Sequence, residues 1–146
     1  MGSAMFGGRW NSKGVKVLYM SENRALAVLE VLLHLIPTGR DPDGYVLGIA
    51  EIPIGCKIET VDEATLPPGW KTDIPAQQTV TKGIGDEWVR RMSTAVLSVP
   101  SVVVGERNFV LNPEHPDYLS IHFADPQPFE FDSRLLAHGT HSTYGA

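Results

Sequence analysis

The segment from Arg24 to Leu35 contains neither glycine nor proline and carries apolar residues at helical spacing, which commits the chain to at least one amphipathic helix. Ser21 offers a side-chain cap, Glu22 suits the first turn, and Pro37 supplies a stop. At 100° per residue Ala25, Val28, Leu29, Leu32, Leu33 and Ile36 share one face, with Glu30 about 140° round from Ala25, at its edge. A carboxylate there is either on the solvent rim of the helix or held in a cleft, and the helix pattern does not choose between them. Elsewhere the sequence breaks into short β-type runs. Val15–Met20 reads as a strand, and Tyr45–Ile52 with Lys57–Val61 as a hairpin around Pro53 and Gly55. Leu66–Lys82 reads as a long surface loop, and Asp86 as the cap of a second helix ending near Thr94. Short strands are expected at Ala95–Val99, Val102–Val104, Phe109–Leu111 and Leu119–Phe123. Strands outnumber helices without alternating with them, which points to a mixed α+β fold rather than a doubly wound parallel sheet.

A length of 146 residues suits one domain. Twelve basic residues against 17 acidic ones give a net charge of −5, which argues against direct contact with nucleic acid. The longest apolar run, Ala25–Ile36, is interrupted by Glu30 and His34 and is shorter than the roughly 18–20 residues that cross a bilayer, so no membrane association is expected. The start of the chain lacks a basic region followed by an apolar stretch, and a cytoplasmic protein is expected. Met1–Met5 reads as a cloning scar, leaving residues 6–146 as the domain. The single Cys56 fits a reducing compartment and reads as a structural residue.

The sequence holds no phosphate-binding loop of the Walker type, no paired Cys-x-x-Cys and no His-Glu-x-x-His. Gly83-Ile84-Gly85 lacks the third glycine and the preceding strand of a dinucleotide fingerprint. Ser101 with His115 and Asp117 lacks the nucleophile elbow of a hydrolase. Left over are groups suited to holding a phosphorylated nucleotide while stabilising positive charge on a sugar. Arg9 follows two glycines that leave room for a ligand, and its guanidinium can fork onto phosphate oxygens; it reads equally as a plain surface arginine. Tyr19 offers a ring to stack and a hydroxyl, or is a half-buried strand tyrosine. Glu30 can stabilise an oxocarbenium-like sugar, or is an ordinary glutamate of an amphipathic helix.

Taken in order, Gly7-Gly8-Arg9-Trp10-Asn11-x-x-Gly14, Val17-x-Tyr19-x-Ser21 and Leu26-Ala27-x-x-Glu30-x-x-x-His34 resemble the RES domain family. The resemblance continues through Leu66-Pro67-x-Gly69-Trp70, Gly85-Asp86-x-Trp88, Val99-Pro100-Ser101 and Asn112-Pro113-x-His115-Pro116, covering Phe6 to about Phe123. It implies an ADP-ribosyltransferase-like fold with a split β-sheet core and peripheral helices. The family's members are toxins of bacterial Res–Xre toxin–antitoxin pairs, and the implied reaction breaks the nicotinamide–ribose bond of NAD⁺, a substrate rather than a cofactor. By motif match Glu30, Ser101 and Arg9 would be catalytic, with Arg9, Tyr19 and Ser101 binding substrate. The implied partners are NAD⁺, a helix-turn-helix antitoxin of the Xre type and a second copy of the chain; no metal is implied. Water, phosphate or a protein side chain would serve as acceptor. A mono-ADP-ribosyltransferase and an inactive antitoxin-binding domain are the alternatives, and an element missing before Phe6 would affect the cleft or the dimer contact.

Overall fold

The structure is a computed structural model that describes residues 2–136; Met1 of the expected scar and residues 137–146 of the expected domain lie outside the described residues. Its elements are helix α1 (Gly2–Phe6), strand β1 (Leu18–Ser21), helix α2 (Arg24–Thr38), strands β2 (Val46–Leu47), β3 (Ala50–Glu51) and β4 (Ile58–Thr60), helix α3 (Thr79–Arg91), strands β5 (Val96–Pro100), β6 (Arg107–Leu111), β7 (His122–Phe123) and β8 (Gln127–Pro128), and helix α4 (Ser133–Leu136). Four strands form an open mixed sheet in the order β1-β6-β5-β4, antiparallel except for the β4–β5 pair. The remaining strands make two separate antiparallel pairs, β2 with β8 and β3 with β7. The fold is α+β, as the pattern of elements predicts.

Strand alternation divides the core. Tyr19, Val110 and Leu97 lie side by side across β1, β6 and β5, and with Trp10, Trp70 and Trp88 they build the larger cluster. Leu111 and Val96 point the other way, into a smaller cluster with Ala95 and Ile121. Trp88 of α3 is completely buried against the first face, its indole N–H donating to the Thr94 hydroxyl at 2.9 Å, which in turn donates to the Val96 carbonyl. Every residue of β5 is buried, as a central strand covered on both faces requires.

The structure differs from the sequence reading in several places. Helix α2 is capped by Asn23, whose side chain accepts from the Leu26 amide at 2.9 Å, and not by Ser21, which pairs across to β6. It also runs through Pro37 to Thr38, because Pro37 falls in the last turn and the Thr38 hydroxyl and the left-handed Gly39 close the end. The buried residues of α2 are Leu26, Leu32 and Leu35, whereas Leu29, Leu33 and Ile36 of the expected apolar face are exposed. The expected hairpin does not form: a turn closed by the Cys56 amide on the Pro53 carbonyl at 2.9 Å sends β4 to the parallel edge of β5. Helix α3 begins at Thr79 rather than at Asp86, so it includes both Gly83 and Gly85. Val102–Val104 lies in the loop joining β5 to β6 rather than in a strand.

Candidate active site

Arg9 sits at the tip of a tight turn closed by the Gly8 amide on the Asn11 carbonyl at 2.9 Å. The neighbouring Trp10 side chain points inward and is buried, while Arg9 is half-buried on the opposite side. The turn is pinned from three directions. The Tyr19 hydroxyl accepts from the Trp10 amide at 3.0 Å and donates to Asn11 Oδ1 at 2.7 Å. Asn11 Nδ2 donates to the Val15 carbonyl at 2.9 Å, and Asp86 of α3 accepts from the Ser12 amide at 2.8 Å. A Cβ at Gly8 would stand 2.6 Å from the Tyr19 oxygen, so this glycine makes room for the phenol rather than for a ligand. Gly85 works the same way on the far side: a Cβ there would fall 1.7 Å from the Trp10 carbonyl oxygen, so only glycine lets α3 press against the turn.

Arg9 Nη1 donates to the Trp70 carbonyl at 2.7 Å, and among the described residues no carboxylate comes within ion-pair distance of its guanidinium. Burial lowers its pKa, and Glu30, Tyr19 and Asp73 oppose that shift, Glu30 most strongly among the charges. Arginine stays charged throughout the accessible pH range, so the group is a partly desolvated cation with free donors. Burial likewise pushes the Tyr19 phenol well above its usual pKa, which keeps it neutral.

Glu30 lies one turn after the fully buried Leu26 and faces the end of the sheet. Two donors converge on its Oε1: Ser101 Oγ at 3.1 Å and Asn108 Nδ2 at 2.6 Å. The Ser101 hydroxyl accepts from the Val103 amide at 3.1 Å, which directs its own proton toward Glu30. Ser101 is buried just beyond β5, and its amide donates to the Glu106 carbonyl at 2.9 Å across the β5–β6 loop. That loop is tied to the start of α2, where Asn23 Nδ2 donates to Glu106 and Glu22 accepts from the Arg107 amide. No described residue donates to Glu30 Oε2.

All four residues expected from sequence are therefore held by the fold, in two groups. Glu30 and Ser101 touch directly; Arg9 lies on the turn that the Tyr19 hydroxyl pins from β1, and Glu30 is the charge that acts most strongly on Arg9. Asn108 escaped the sequence reading. Its signal was a polar residue two positions before the buried Val110, on the same face of the strand. The triad weighed in the sequence has no counterpart in space, since Ser101 bonds Glu30 while His115 Nδ1 accepts from the Asp117 amide at 3.0 Å and caps a 3₁₀ turn.

Chemically, the arrangement offers a carboxylate oriented by two donors and a partly desolvated guanidinium within its electrostatic reach. The RES domain profile matches residues 1–132 of the chain. Among proteins of similar sequence, a Prs ADP-ribosylating toxin of Sphingobium sp. (strain YBL2) is 36% identical over 138 residues, spanning 92% of this chain and 84% of the relative. A protein named Toxin Res from Photorhabdus laumondii subsp. laumondii is 36% identical over 137 residues, spanning 92% of this chain and 85% of the relative. Another Toxin Res, from Pseudomonas putida, is 34% identical over 140 residues, with 92% and 90% covered.

Proposed function

The chain belongs to the RES domain family, and from that premise we propose that it is the toxin of a toxin–antitoxin pair that cleaves the nicotinamide–ribose bond of NAD⁺. One observation carries the reading: a half-buried guanidinium without a carboxylate partner stands in the field of a carboxylate whose orientation is fixed by two donors. Keeping such a cation partly out of water is costly unless an anion is meant to meet it. The NAD⁺ pyrophosphate supplies that anion for Arg9. The ring of Tyr19 stacks on the nicotinamide end, because its hydroxyl is committed to the turn.

Glu30 Oε2 engages a ribose hydroxyl and stabilises the oxocarbenium-like transition state, with Ser101 holding the other oxygen. The C1′–N bond breaks with its electron pair going to the nicotinamide nitrogen, so the leaving group is neutral and needs no proton. An acceptor then bonds to C1′; water yields ADP-ribose and one proton, and phosphate yields the phosphorylated product. Consumption of NAD⁺ arrests growth. The name of the Sphingobium relative favours a second reading, transfer of ADP-ribose to a protein, which would use the same site with a different acceptor. An inactive antitoxin-binding domain would have no need to keep Arg9 without a carboxylate partner.

The partner in this reading is an antitoxin carrying an Xre-type helix-turn-helix, which relieves the net charge of −5 of any DNA-binding duty. A homodimer acting in the cytoplasm completes the proposal; among the described residues no helix is long and apolar enough to cross a membrane. The test incubates purified protein with NAD⁺, with and without phosphate, and with labelled NAD⁺ in lysate. Nicotinamide should appear in step with NAD⁺ loss and fall about a hundredfold or more in Glu30→Ala. Phosphate dependence selects phosphorolysis, and label retained on protein selects the second reading. Absence of nicotinamide release in every arm would overturn the proposal.

A further inference from the structure

We propose that Asn108, itself oriented by Ser21, is a positioning residue that fixes which oxygen of Glu30 meets the substrate; this rests on the functional reading above. Ser21 and Asn108 are directly opposite each other on the antiparallel strands β1 and β6. The Ser21 hydroxyl donates to Asn108 Oδ1 at 2.8 Å, and Asn108 Nδ2 donates to Glu30 Oε1 at 2.6 Å. A polar relay therefore runs from β1 through β6 to α2 beside the apolar Val99 and Val110, where packing alone would be served by another aliphatic side chain.

The relay has a direction. An asparagine amide presents a donor on one side and an acceptor on the other. The Ser21 proton holds the oxygen side, so the nitrogen side must face the carboxylate; a flipped amide would set Oδ1 against the negative Oε1. With Ser101 and Asn108 both donating to Oε1, rotation of the carboxyl group would break two charge-assisted hydrogen bonds. Oε2 is thus the oxygen presented to the ribose, and it arrives already aligned. The two donors come from opposite ends of the β5–β6 loop, so neither substitutes for the other. Asn108 acts through Glu30, and Ser21 acts only through Asn108.

That hierarchy is what the experiment reads. Nicotinamide release would be followed as kcat and KM in Asn108→Ala, Ser21→Ala, Ser21→Thr and the Ser21→Ala/Asn108→Ala double variant. The expected result is a kcat about 10- to 100-fold lower in Asn108→Ala with KM changed by about threefold or less. Ser21→Ala loses about three- to tenfold in kcat, and Ser21→Thr, which keeps the hydroxyl, recovers most of it. The double variant is no worse than Asn108→Ala alone, since removing Asn108 removes all that Ser21 does. Multiplying losses in the double variant, or an unchanged kcat in a folded Asn108→Ala, would overturn the proposal while leaving the functional reading intact. If Asn108→Ala does not fold, the Ser21 pair decides: equal losses in Ser21→Ala and Ser21→Thr would overturn it. A wild-type protein that releases no nicotinamide with any acceptor would sink the functional reading and this proposal with it.

Discussion

Alanine at Gly85 and alanine at Gly83 should move stability in opposite directions, although both lie in α3 only two residues apart. Replacing a mid-helix glycine by alanine ordinarily stabilises by about 0.5–1 kcal/mol through the lost backbone freedom of the unfolded chain. Gly83 is exposed and a Cβ there meets nothing within 4 Å, so it should show that gain. At Gly85 the Cβ would stand 1.7 Å from the Trp10 carbonyl oxygen and 2.8 Å from its carbon. Ordinary contact needs about 3.5 Å, so the helix and the turn must separate by about 1.5 Å or more. Overpacking of that kind costs about 1–3 kcal/mol, and backbone against backbone has no rotamer with which to yield. With the cost therefore at the upper end of that range, about 3 kcal/mol, subtracting the helical gain leaves an expected net loss of about 2 kcal/mol. At roughly 3 °C per kcal/mol for a chain of this size, Gly85→Ala should melt about 6 °C below wild type and Gly83→Ala about 2–3 °C above it. The same separation pulls the Ser12 amide from Asp86 and displaces Arg9, and in the proposed role of Arg9 as a substrate-holding group a shift of about 1 Å costs on the order of a hundredfold in rate. Thermal melting and nicotinamide release on both variants check this. A Gly85→Ala protein as stable and as active as Gly83→Ala would refute the role given to the contact.

Two other perturbations follow from the sheet and its edge. Arg107 joins β6 to its neighbours by donating to Ser98 Oγ at 2.9 Å and to the carbonyls of Ser98 and Val61 at 2.8 Å each, a fork that a lysine ammonium cannot reproduce. Arg107→Lys should therefore lose about 2 kcal/mol in denaturant unfolding, and an unchanged midpoint would contradict it. Burial pushes the Glu59 carboxyl upward, but hydrogen bonds from Ser93 and Arg91, both at 2.7 Å, outweigh it and hold the group below its usual pKa. A depressed folded pKa gives stability that is present above the unfolded value and lost as pH falls through the folded one. Wild type should thus exceed Glu59→Gln in stability at neutral pH. The gap should close as pH drops from about 4.3 through the lowered pKa, and a gap that widens in acid would contradict the sign.

What could be read beforehand, and what could not, follows from the kind of information each feature carries. Helix α2 was legible because a glycine- and proline-free run has few alternatives. Its buried side was not, since Leu29 and Leu33 are as apolar as Leu26 and Leu32 and only the tertiary arrangement says which are covered. The start of α3 was misplaced because Gly83 and Gly85 look like helix breakers, whereas Gly85 is there for the close approach of Trp10. The hairpin failed because period-2 patterning marks a strand without naming its neighbour, and β4 found β5 instead. Arg9, Tyr19 and Glu30 stood out through their residue types and their order. Their relation did not: that Arg9 lacks a carboxylate partner, that the Tyr19 hydroxyl is spent on the turn, and that Asn108 shares Glu30 with Ser101 are facts of three dimensions.

In the proposed reaction the Glu30 carboxylate stabilises the ribose cation as the nicotinamide–ribose bond breaks. Its most direct test is nicotinamide formed per protein molecule at saturating NAD⁺, in wild type and in Glu30→Gln, which keeps the shape and removes the charge. The account predicts turnover in wild type and a loss of about a hundredfold or more in a folded Glu30→Gln. Equal rates in the two proteins would contradict it.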